Sequence, residues 1–368
     1  MKSNLSTLKS IILWGGFFLF LTSLGACSIF KHTKTEKPLV LLYPSPPDQP
    51  RFQFLTKITS SKDLGDVQSK FSKMILGEQK PAIMTKPYGI ALYKGKLFVC
   101  DNYAGGMEVL DLERKKFNFF NPAGKGHLKM PINCFIDDKG YLYVGDCGRF
   151  EVVVYDEKGN YVRSFGEKEK FKPSDVAVAN GKVFVANSAN SQIDVYSNDS
   201  ASKFLYTIPK AGATGEEHIC MPTNITIHDS TLYVSDFGCS KIRMYTLGGQ
   251  FLDTLGGRGD FLGQFAKVKG IAVDHDKNIY AVDAAFENVQ IFDKEKHILM
   301  PLGNHYKGPG DMYLPAKVII DYDNLKYFQK YVDPAYDLKY LVIVTNQYGP
   351  DLITVYGRIE TKTNPNKK

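Results

Sequence analysis

The stretch that decides the fold runs from Lys267 to Asp293 and reads KVKGIAVDHDKNIYAVDAAFENVQIFD. Its three apolar segments, Gly270–Val273, Ile279–Asp283 and Val289–Phe292, are separated by polar turn residues. Short apolar runs bounded by turn residues predict β-strands. Similar units recur from Met84 to Tyr356, and we interpret them as the blades of one β-propeller.

The units begin at regularly spaced residues, almost all of them proline. The starting residues are Pro87, Pro131, Pro173, Pro222, Val268 and Pro315. In each unit an apolar strand opens, and a second strand ends on an acid or an amide. These end residues are Asp101, Asp146, Asn187, Asp236, Asp283 and Asn346. Repeats of about 40 to 50 residues are typical of propeller blades.

The last unit lacks a fourth strand, because the chain turns polar after Arg358. The alternating segment Arg51–Thr59 precedes all the units, and we predict that it fills the vacant place. Such pairing closes the ring and covers an exposed sheet edge. The sequence thus predicts an all-β, six-bladed propeller over residues 51–358, followed by a polar tail at 359–368. Helical spacing of apolar residues in Ser60–Leu76 predicts one short helix.

Residues 1–26 are predicted to be a lipoprotein signal peptide. Lysines precede an apolar run that is too short to span a membrane comfortably. Leu24–Cys27 resembles a bacterial lipobox, which implies cleavage before Cys27 and lipidation of that residue. The alternative is a plain secretory signal with a chance cysteine. Ser28 after the cysteine favours an envelope protein held by its lipid in the outer membrane, on the periplasmic face or at the cell surface.

Residues 27–50 are predicted to be the lipidated cysteine and a tether. The prolines near its end favour an extended, semi-rigid spacer. Its apolar patch Leu39–Tyr43 is the exception, and we expect it to dock on the propeller.

The chain resembles the NHL-repeat six-bladed propellers, and more closely the bacterial lipoproteins with such a domain. The resemblance is carried by Pro87–Ala91, Asn278–Asp283 and Gly256–Gly259, and it covers about Arg51 to Arg358. It implies the fold but says little about activity, since propellers host many functions.

A candidate ligand site consists of polar residues placed two positions after an opening proline. They are Asn133, Asp175 and Asn224. The other units hold Gly89, Gly270 and Lys317 at this position. Metal-dependent lactonase-like propellers, which this pattern resembles, build their site from carboxylates and amides at the channel mouth. We predict no cofactor, although oxygen ligands of this kind could hold Ca²⁺. The alternative is that small polar residues suit a tight turn into a strand.

The residues that end the second strands have two interpretations. A ring of oxygens from Asp101, Asp146 and their equivalents could hold Ca²⁺. We favour the other interpretation, in which each residue accepts hydrogen bonds from backbone amides of its own loop. Repetition in every unit supports a structural role.

Zinc is not expected at His127, His218 and His305. The first two occupy a repeat position that takes several polar residues in other units, and His305 does not align with it. The segment from His218 to Cys239 is similar to part of the peptidyl-hydroxyglycine amidating lyase propeller. That family places zinc-binding histidines directly after the opening prolines. Here those positions hold Tyr88, Ile132, Ser174, Thr223, Lys269 and Ala316, so the lyase activity is not implied.

Five cysteines remain after Cys27. Propeller topology places the loops of Cys220 and Cys239 on one face, export permits a disulfide, and the lyase resemblance implies this same pair. Two further cysteines lie in the second unit and one in the first. Cys134 could reach Cys147 and leave Cys100 unpaired, but their pairing stays open.

An insertion, Tyr322–Tyr340, separates the first two strands of the sixth unit. Aromatic residues of this kind suit partner surfaces, and we predict such a surface here. Its residues are Tyr327, Phe328, Tyr331 and Tyr336. The alternative is a loop that folds back and packs its aromatic rings on the blade edge.

The net charge of +7 is spread along the chain, which argues against nucleic-acid binding. The sequence contains no Gly-x-Ser-x-Gly motif, no phosphate-binding loop and no dedicated general base. It therefore favours a binding or scaffold module for a protein or saccharide partner over an enzyme. The alternative is a metal-dependent hydrolase or lactonase-like enzyme with its site near Asn133, Asp175 and Asn224.

Overall fold

The computed structural model describes residues 40–65, 74–75 and 77–362. The predicted signal peptide, the lipidation site at Cys27 and residues 363–368 of the predicted tail lie outside this part. None of the described helices is long and apolar enough to cross a membrane.

The described chain is built almost entirely of antiparallel strands. It opens with β1 (Leu41–Tyr43) and β2 (Phe52–Ile58). Blade 1 contains β3 (Pro87–Tyr93), β4 (Lys96–Asp101), β5 (Gly106–Asp111) and β6 (Lys116–Phe120). Blade 2 contains β7 (Pro131–Ile136), β8 (Leu142–Asp146), β9 (Glu151–Tyr155) and β10 (Tyr161–Phe165). Blade 3 contains β11 (Pro173–Ala179), β12 (Lys182–Asn187), β13 (Gln192–Ser197) and β14 (Phe204–Ile208).

The second half of the ring repeats this plan. Blade 4 contains β15 (Pro222–His228), β16 (Thr231–Asp236), β17 (Lys241–Thr246) and β18 (Phe251–Leu255). Blade 5 contains β19 (Val268–Val273), β20 (Ile279–Asp283), β21 (Asn288–Phe292) and β22 (Ile298–Leu302). Blade 6 contains β23 (Pro315–Asp321), β24 (Tyr336–Asn346) and β25 (Ile353–Thr361) together with β1 and β2. The fold is a six-bladed β-propeller, as predicted.

Blade 6 closes the ring by combining both ends of the described chain. Its strand order is β1-β2-β25-β24-β23, and β2 pairs antiparallel with β25 from Phe52↔Arg358 to Ile58↔Ile353. This confirms the predicted closure. The apolar patch before the prolines docks as β1, a fifth strand paired with β2. Strand β25 continues to Thr361, which pairs with Tyr336 of β24.

The first strands of the six blades form the innermost ring. They begin at the six predicted starting residues, and β23 packs beside β3 to complete the circle. Each contains a register shift just after its first residue, such as that between Pro173 and Asp175. We call the face with the blade-to-blade connections and the second-to-third-strand turns the upper face. The opposite face is the lower face.

The hydrophobic core lies between neighbouring blades. Val152, Val153 and Val154 of blade 2 are fully buried, because the sheet is covered on both sides. Full burial of such a side chain contributes about 1.5 to 3 kcal/mol. Because both faces of each sheet are covered, the central strands contain runs of apolar residues rather than alternating apolar and polar residues.

The predicted helix does not begin at Ser60. Ser60 forms a β-bridge with Ile83, and the Asp63 carboxylate accepts hydrogen bonds from the amides of Thr59 (2.9 Å) and Ser60 (2.8 Å). These contacts hold residues 61–65 in turns. Residues 66–73 and 76 of the predicted helix lie outside the described part. The short 3-10 turns are Gly124–Gly126, Gly215–Glu217, Leu325–Tyr327 and Gln329–Tyr331.

Candidate functional site

A central channel runs between the six first strands. Its cavity has a volume of about 550 Å³ and reaches the lower face, where turn residues such as Asp138 and Asp229 line it. Its wall combines apolar side chains, such as Val178, Ile227 and Val273, with polar groups. Channels of this kind, at the axis of a ring, are regular places for ligands.

A polar layer crosses the channel at the level of the register shifts. Asn133, Asp175 and Asn224 are fully buried there. Lys317 extends from blade 6 to blade 3, on the far side of the ring, and its ammonium contacts Asp175 Oδ2. The same oxygen accepts a hydrogen bond from the amide of Ile225 at 2.9 Å. The three predicted site residues are thus buried in one layer, where Asp175 contacts Lys317 and lies 3.5 Å from the side-chain nitrogen of Asn224.

Glycine occupies the two remaining positions of this layer for steric reasons. A Cβ at Gly89 would lie 2.4 Å from Asn133 Cα, and one at Gly270 would lie 2.7 Å from Lys317 Cα. Backbone at these distances cannot accommodate a methyl group without shifting. The layer therefore consists of four side chains, and the first strands approach closely around them.

The electrostatics of the layer are dominated by burial. Burial raises the pKa of Asp175, while the Lys317 ammonium and the amides of Ile225 and Val176 act in the opposite direction. Asn133 donates to the carbonyl of Ser174 (2.7 Å). In the described part of the chain, the side-chain oxygens of Asn133 and Asn224 are buried without a hydrogen-bond partner. Buried acceptors are normally paired, so water or a ligand group is expected there.

The role of Lys317 is the feature that sequence reasoning missed. A divalent cation at Asp175 would have to displace the lysine's ammonium, which already supplies positive charge to the carboxylate. In the sequence, Lys317 is the one basic residue at a repeat position that holds glycine, asparagine or aspartate in the other five units. Only the ring geometry shows that it reaches the aspartate opposite.

The residues that end the second strands fix the loops of the upper face. Asp101 accepts hydrogen bonds from the amides of Thr85 (2.6 Å) and Lys86 (2.9 Å) in the incoming connection. Its other oxygen accepts from Tyr103 and Ala104 in the following turn. The equivalents in other blades make similar contacts. The predicted capping role is confirmed, and each residue also binds the connection that enters its blade.

A third-strand residue lies beside each of these caps and differs from blade to blade. Arg243 Nε donates to Asp236 at 2.8 Å, and Asn187 donates to Asp194 at 2.8 Å. In blade 1 the equivalent residue is Glu108, which faces the acid Asp101. Burial, with the charge of Asp101 added, raises the pKa of Glu108 to about 8. This direction favours the protonated form of the side chain.

Three lysines gather at the upper mouth of the channel. We call Lys86, Lys267 and Lys269 the lysine cluster. Burial, assisted by the charges of Lys267 and Lys86, lowers the pKa of Lys269 to about 8. Its ammonium lies 5.4 Å from the ring centroid of Tyr88, and that of Lys86 lies 5.0 Å from the ring centroid of Tyr348.

Exposed apolar side chains distinguish the upper face from the lower one. Those on upper-face loops are Ile83, Tyr103, Met130, Met221, Phe261, Leu262, Tyr313 and Tyr348. Tyr103 and Phe261 are each 78% exposed. No lower-face turn among the described residues has an exposed large apolar side chain. Apolar exposure on one face is typical of binding surfaces.

The three histidines do not meet. His127 and His218 follow separate 3-10 turns on the upper face, and His305 Nδ1 contacts Glu287. Within the described residues, the single group with metal-ligand spacing is Cys220, Asp236 and Cys239. Its two cysteines are bonded to each other.

The structure contains the predicted disulfide between Cys220 and Cys239, with Cα atoms 5.7 Å apart. The other suggested pair is wrong, because Cys100, Cys134 and Cys147 are free and buried. The thiol of Cys134 donates to a carbonyl in blade 1 (3.6 Å), and that of Cys147 donates to a carbonyl in blade 3 (3.2 Å). The two sulfur atoms therefore face opposite neighbours.

The insertion in blade 6 folds back onto blade 1. Phe328 is buried in the core between these blades, so it is not part of an exposed surface, contrary to the prediction. Asn324 Oδ1 accepts from the amide of Gly95 (2.8 Å), and the Tyr327 hydroxyl donates to Glu113 (2.8 Å). Tyr331 is half-buried, and Tyr336 already belongs to β24. The insertion thus links the two blades that close the ring.

Comparisons with known proteins agree on the fold. A family model described as a 6-bladed beta-propeller, DUF5128, matches residues 167–262. No curated protein matches the chain. A structural genomics protein of unknown function from Bacteroides thetaiotaomicron superposes with a TM-score of 0.58 at 14% identity, over 84% of this chain and 76% of that chain.

Two lyase structures are also similar. A streptogramin B lyase has a TM-score of 0.51 at 13% identity, over 76% of this chain and 84% of that chain. A catalytically inactive virginiamycin B lyase from Staphylococcus aureus, solved with quinupristin, has a TM-score of 0.51 at 15% identity, over 74% of this chain and 84% of that chain. At such identities the similarity concerns the fold alone.

Proposed function

We propose that this protein is a lipid-anchored envelope protein whose propeller is a non-enzymatic binding module for a protein or saccharide partner. The partner binds on the upper face. The observation that carries the proposal is the one-sided exposure of apolar loop side chains, of which Tyr103 and Phe261 are the most exposed.

The polar layer of the channel supports binding rather than catalysis. Both carboxylate oxygens of Asp175 are engaged, one by Lys317 and the amide of Ile225, the other by the amide of Val176. A general base needs a free oxygen within reach of a substrate proton. Asp175 is committed to holding the ring together instead.

The proposed location in the outer membrane rests on the sequence. The lipobox-like Leu24–Cys27, followed by Ser28, supports lipid anchoring in the outer membrane. An anchored ring that presents one apolar face suits the capture of a partner at the envelope.

The test is a capture experiment from envelope extract with surface variants. Tyr103→Ser and Phe261→Ser remove apolar area from the upper face. Phe119→Ser and Leu252→Ser are matched controls, because these side chains are 54% and 46% exposed but lie on the outer fourth strands. We expect partner recovery to fall at least tenfold for the upper-face variants only. Equal recovery from all four proteins would exclude the upper face.

A further inference from the structure

We infer that the lysine cluster and the adjacent tyrosine rings at the upper mouth form a subsite for the anionic group of an acidic saccharide. This inference rests on the proposed function, because it assigns a ligand class to the same face. The residues are Lys86, Lys267 and Lys269 with Tyr88 and Tyr348.

The cluster contains positive charge that no described carboxylate neutralises. Within the described part of the chain, none of the three lysines forms an ion pair with a carboxylate, and the charges that act on Lys269 are those of the other two. The acids beneath them, Asp101 and Asp283, are fully buried and accept hydrogen bonds from the backbone amides of Lys86 and Lys267.

Holding an ammonium group out of water without a counter-charge is unfavourable. Lys269 is nevertheless kept half-buried beside two further lysines. An anion placed among them would gain charge-assisted hydrogen bonds and relieve the repulsion between the lysines. The arrangement is therefore complementary to a single carboxylate or sulfate.

The tyrosines indicate that this anion is carried on a sugar. The Tyr88 ring lies under Lys269, and the 45%-exposed Tyr348 ring lies under Lys86, with Tyr313 6.1 Å from it. The exposed rings of Tyr348 and Tyr313 offer apolar area to the C–H face of a sugar, while the ammonium groups reach its charged substituent. Nucleic acid would require a longer basic track with many phosphate contacts.

The test is calorimetric titration of the full chain in nonionic detergent. The probes are an oligogalacturonate, its methyl ester, a sulfated heparin oligosaccharide and a poly-glutamate peptide. The methyl ester is the matched control, because it keeps the sugar and removes the charge. We expect an acidic oligosaccharide to bind at least tenfold more tightly than the ester.

Variants locate the site. Lys269→Met keeps the length of the side chain and should weaken binding of the acidic probe about tenfold or more. Lys139→Gln, in a lower-face turn, is the control and should leave binding unchanged. Circular dichroism of both variants checks that the propeller is folded.

Failure to bind either acidic oligosaccharide would overturn the inference, as would binding that is indifferent to Lys269→Met. Equal affinity for a poly-glutamate peptide would also overturn it, because the site would then recognise charge without sugar. If partner capture still depends on Tyr103 and Phe261 in these cases, the proposed function stands without the saccharide subsite. If partner capture does not depend on Tyr103 and Phe261, the proposed function is wrong, whatever the result with the saccharides.

Discussion

Replacing Glu108 by glutamine should make the protein markedly more stable in alkaline solution. Glu108 is 4% exposed, one of its oxygens has no partner among the described residues, and Asp101 lies beside it. In the folded state its pKa is raised from 4.5 to about 8. Between these values the native protein holds a proton that the unfolded chain releases.

The sign and size follow from this difference. Because the native state binds more protons, the free energy of unfolding falls as the pH rises from about 4.5 to about 8. Each pKa unit corresponds to about 1.4 kcal/mol, so the loss across the window is about 2 to 5 kcal/mol. Glutamine is neutral at every pH and can donate to Asp101, as Asn187 donates to Asp194 in blade 3.

The assay is urea denaturation of both proteins at pH 5 and pH 9. We expect similar unfolding free energies at pH 5 and an advantage of about 2 to 5 kcal/mol for Glu108→Gln at pH 9. Glu157→Gln, in an exposed lower-face turn, serves as the control and should show no such dependence. A difference between Glu108→Gln and the parent that is the same at both pH values would refute a proton held at this position.

Three further outcomes test other parts of the structure by the same denaturation assay. Replacing both cysteines of the disulfide with serine should lower the unfolding free energy by about 3 kcal/mol, since the bond closes a loop of roughly 20 residues; no loss under oxidising conditions would contradict this. Lys317→Met should cost about 3 to 5 kcal/mol by leaving Asp175 unpaired in the channel, and adding Asp175→Asn should restore much of it. An additive double variant would show that the two groups do not interact. Gly89→Ala should cost about 1 to 3 kcal/mol because its Cβ meets backbone at 2.4 Å, whereas Gly257→Ala, with nothing within 4 Å, should cost less than 1 kcal/mol.

The architecture was accessible from the sequence because it depends on local signals that repeat. Each opening residue, such as Pro131 or Pro222, starts a strand, and each closing acid, such as Asp146, ends one and binds its loops. Counting these signals was enough to assign the orphan strand at Phe52–Ile58 to the last blade.

The contacts that the sequence did not reveal join residues far apart in the chain. Lys317 and Asp175 are 142 positions apart, and only their places on opposite sides of a ring bring them together. The insertion was expected to place Phe328 on an exposed surface. The side chain of Phe328 instead packs in the hydrophobic core between blades 6 and 1. Asp101, the acid whose charge helps to raise the pKa of Glu108, lies on the neighbouring strand, so this pair depends on the strand register.

The make-up of blade 6 has a consequence for the order of assembly. β25 is synthesised last among the strands and lies between β24 and the much earlier β2. Until β25 emerges, the growing chain carries two bare sheet edges that invite pairing with other chains. Such long-range closure is slow, since the entropy of a loop of roughly 300 residues must be lost first. Ring closure therefore waits for β25, and a helper that shields those edges would act before closure rather than on the finished propeller.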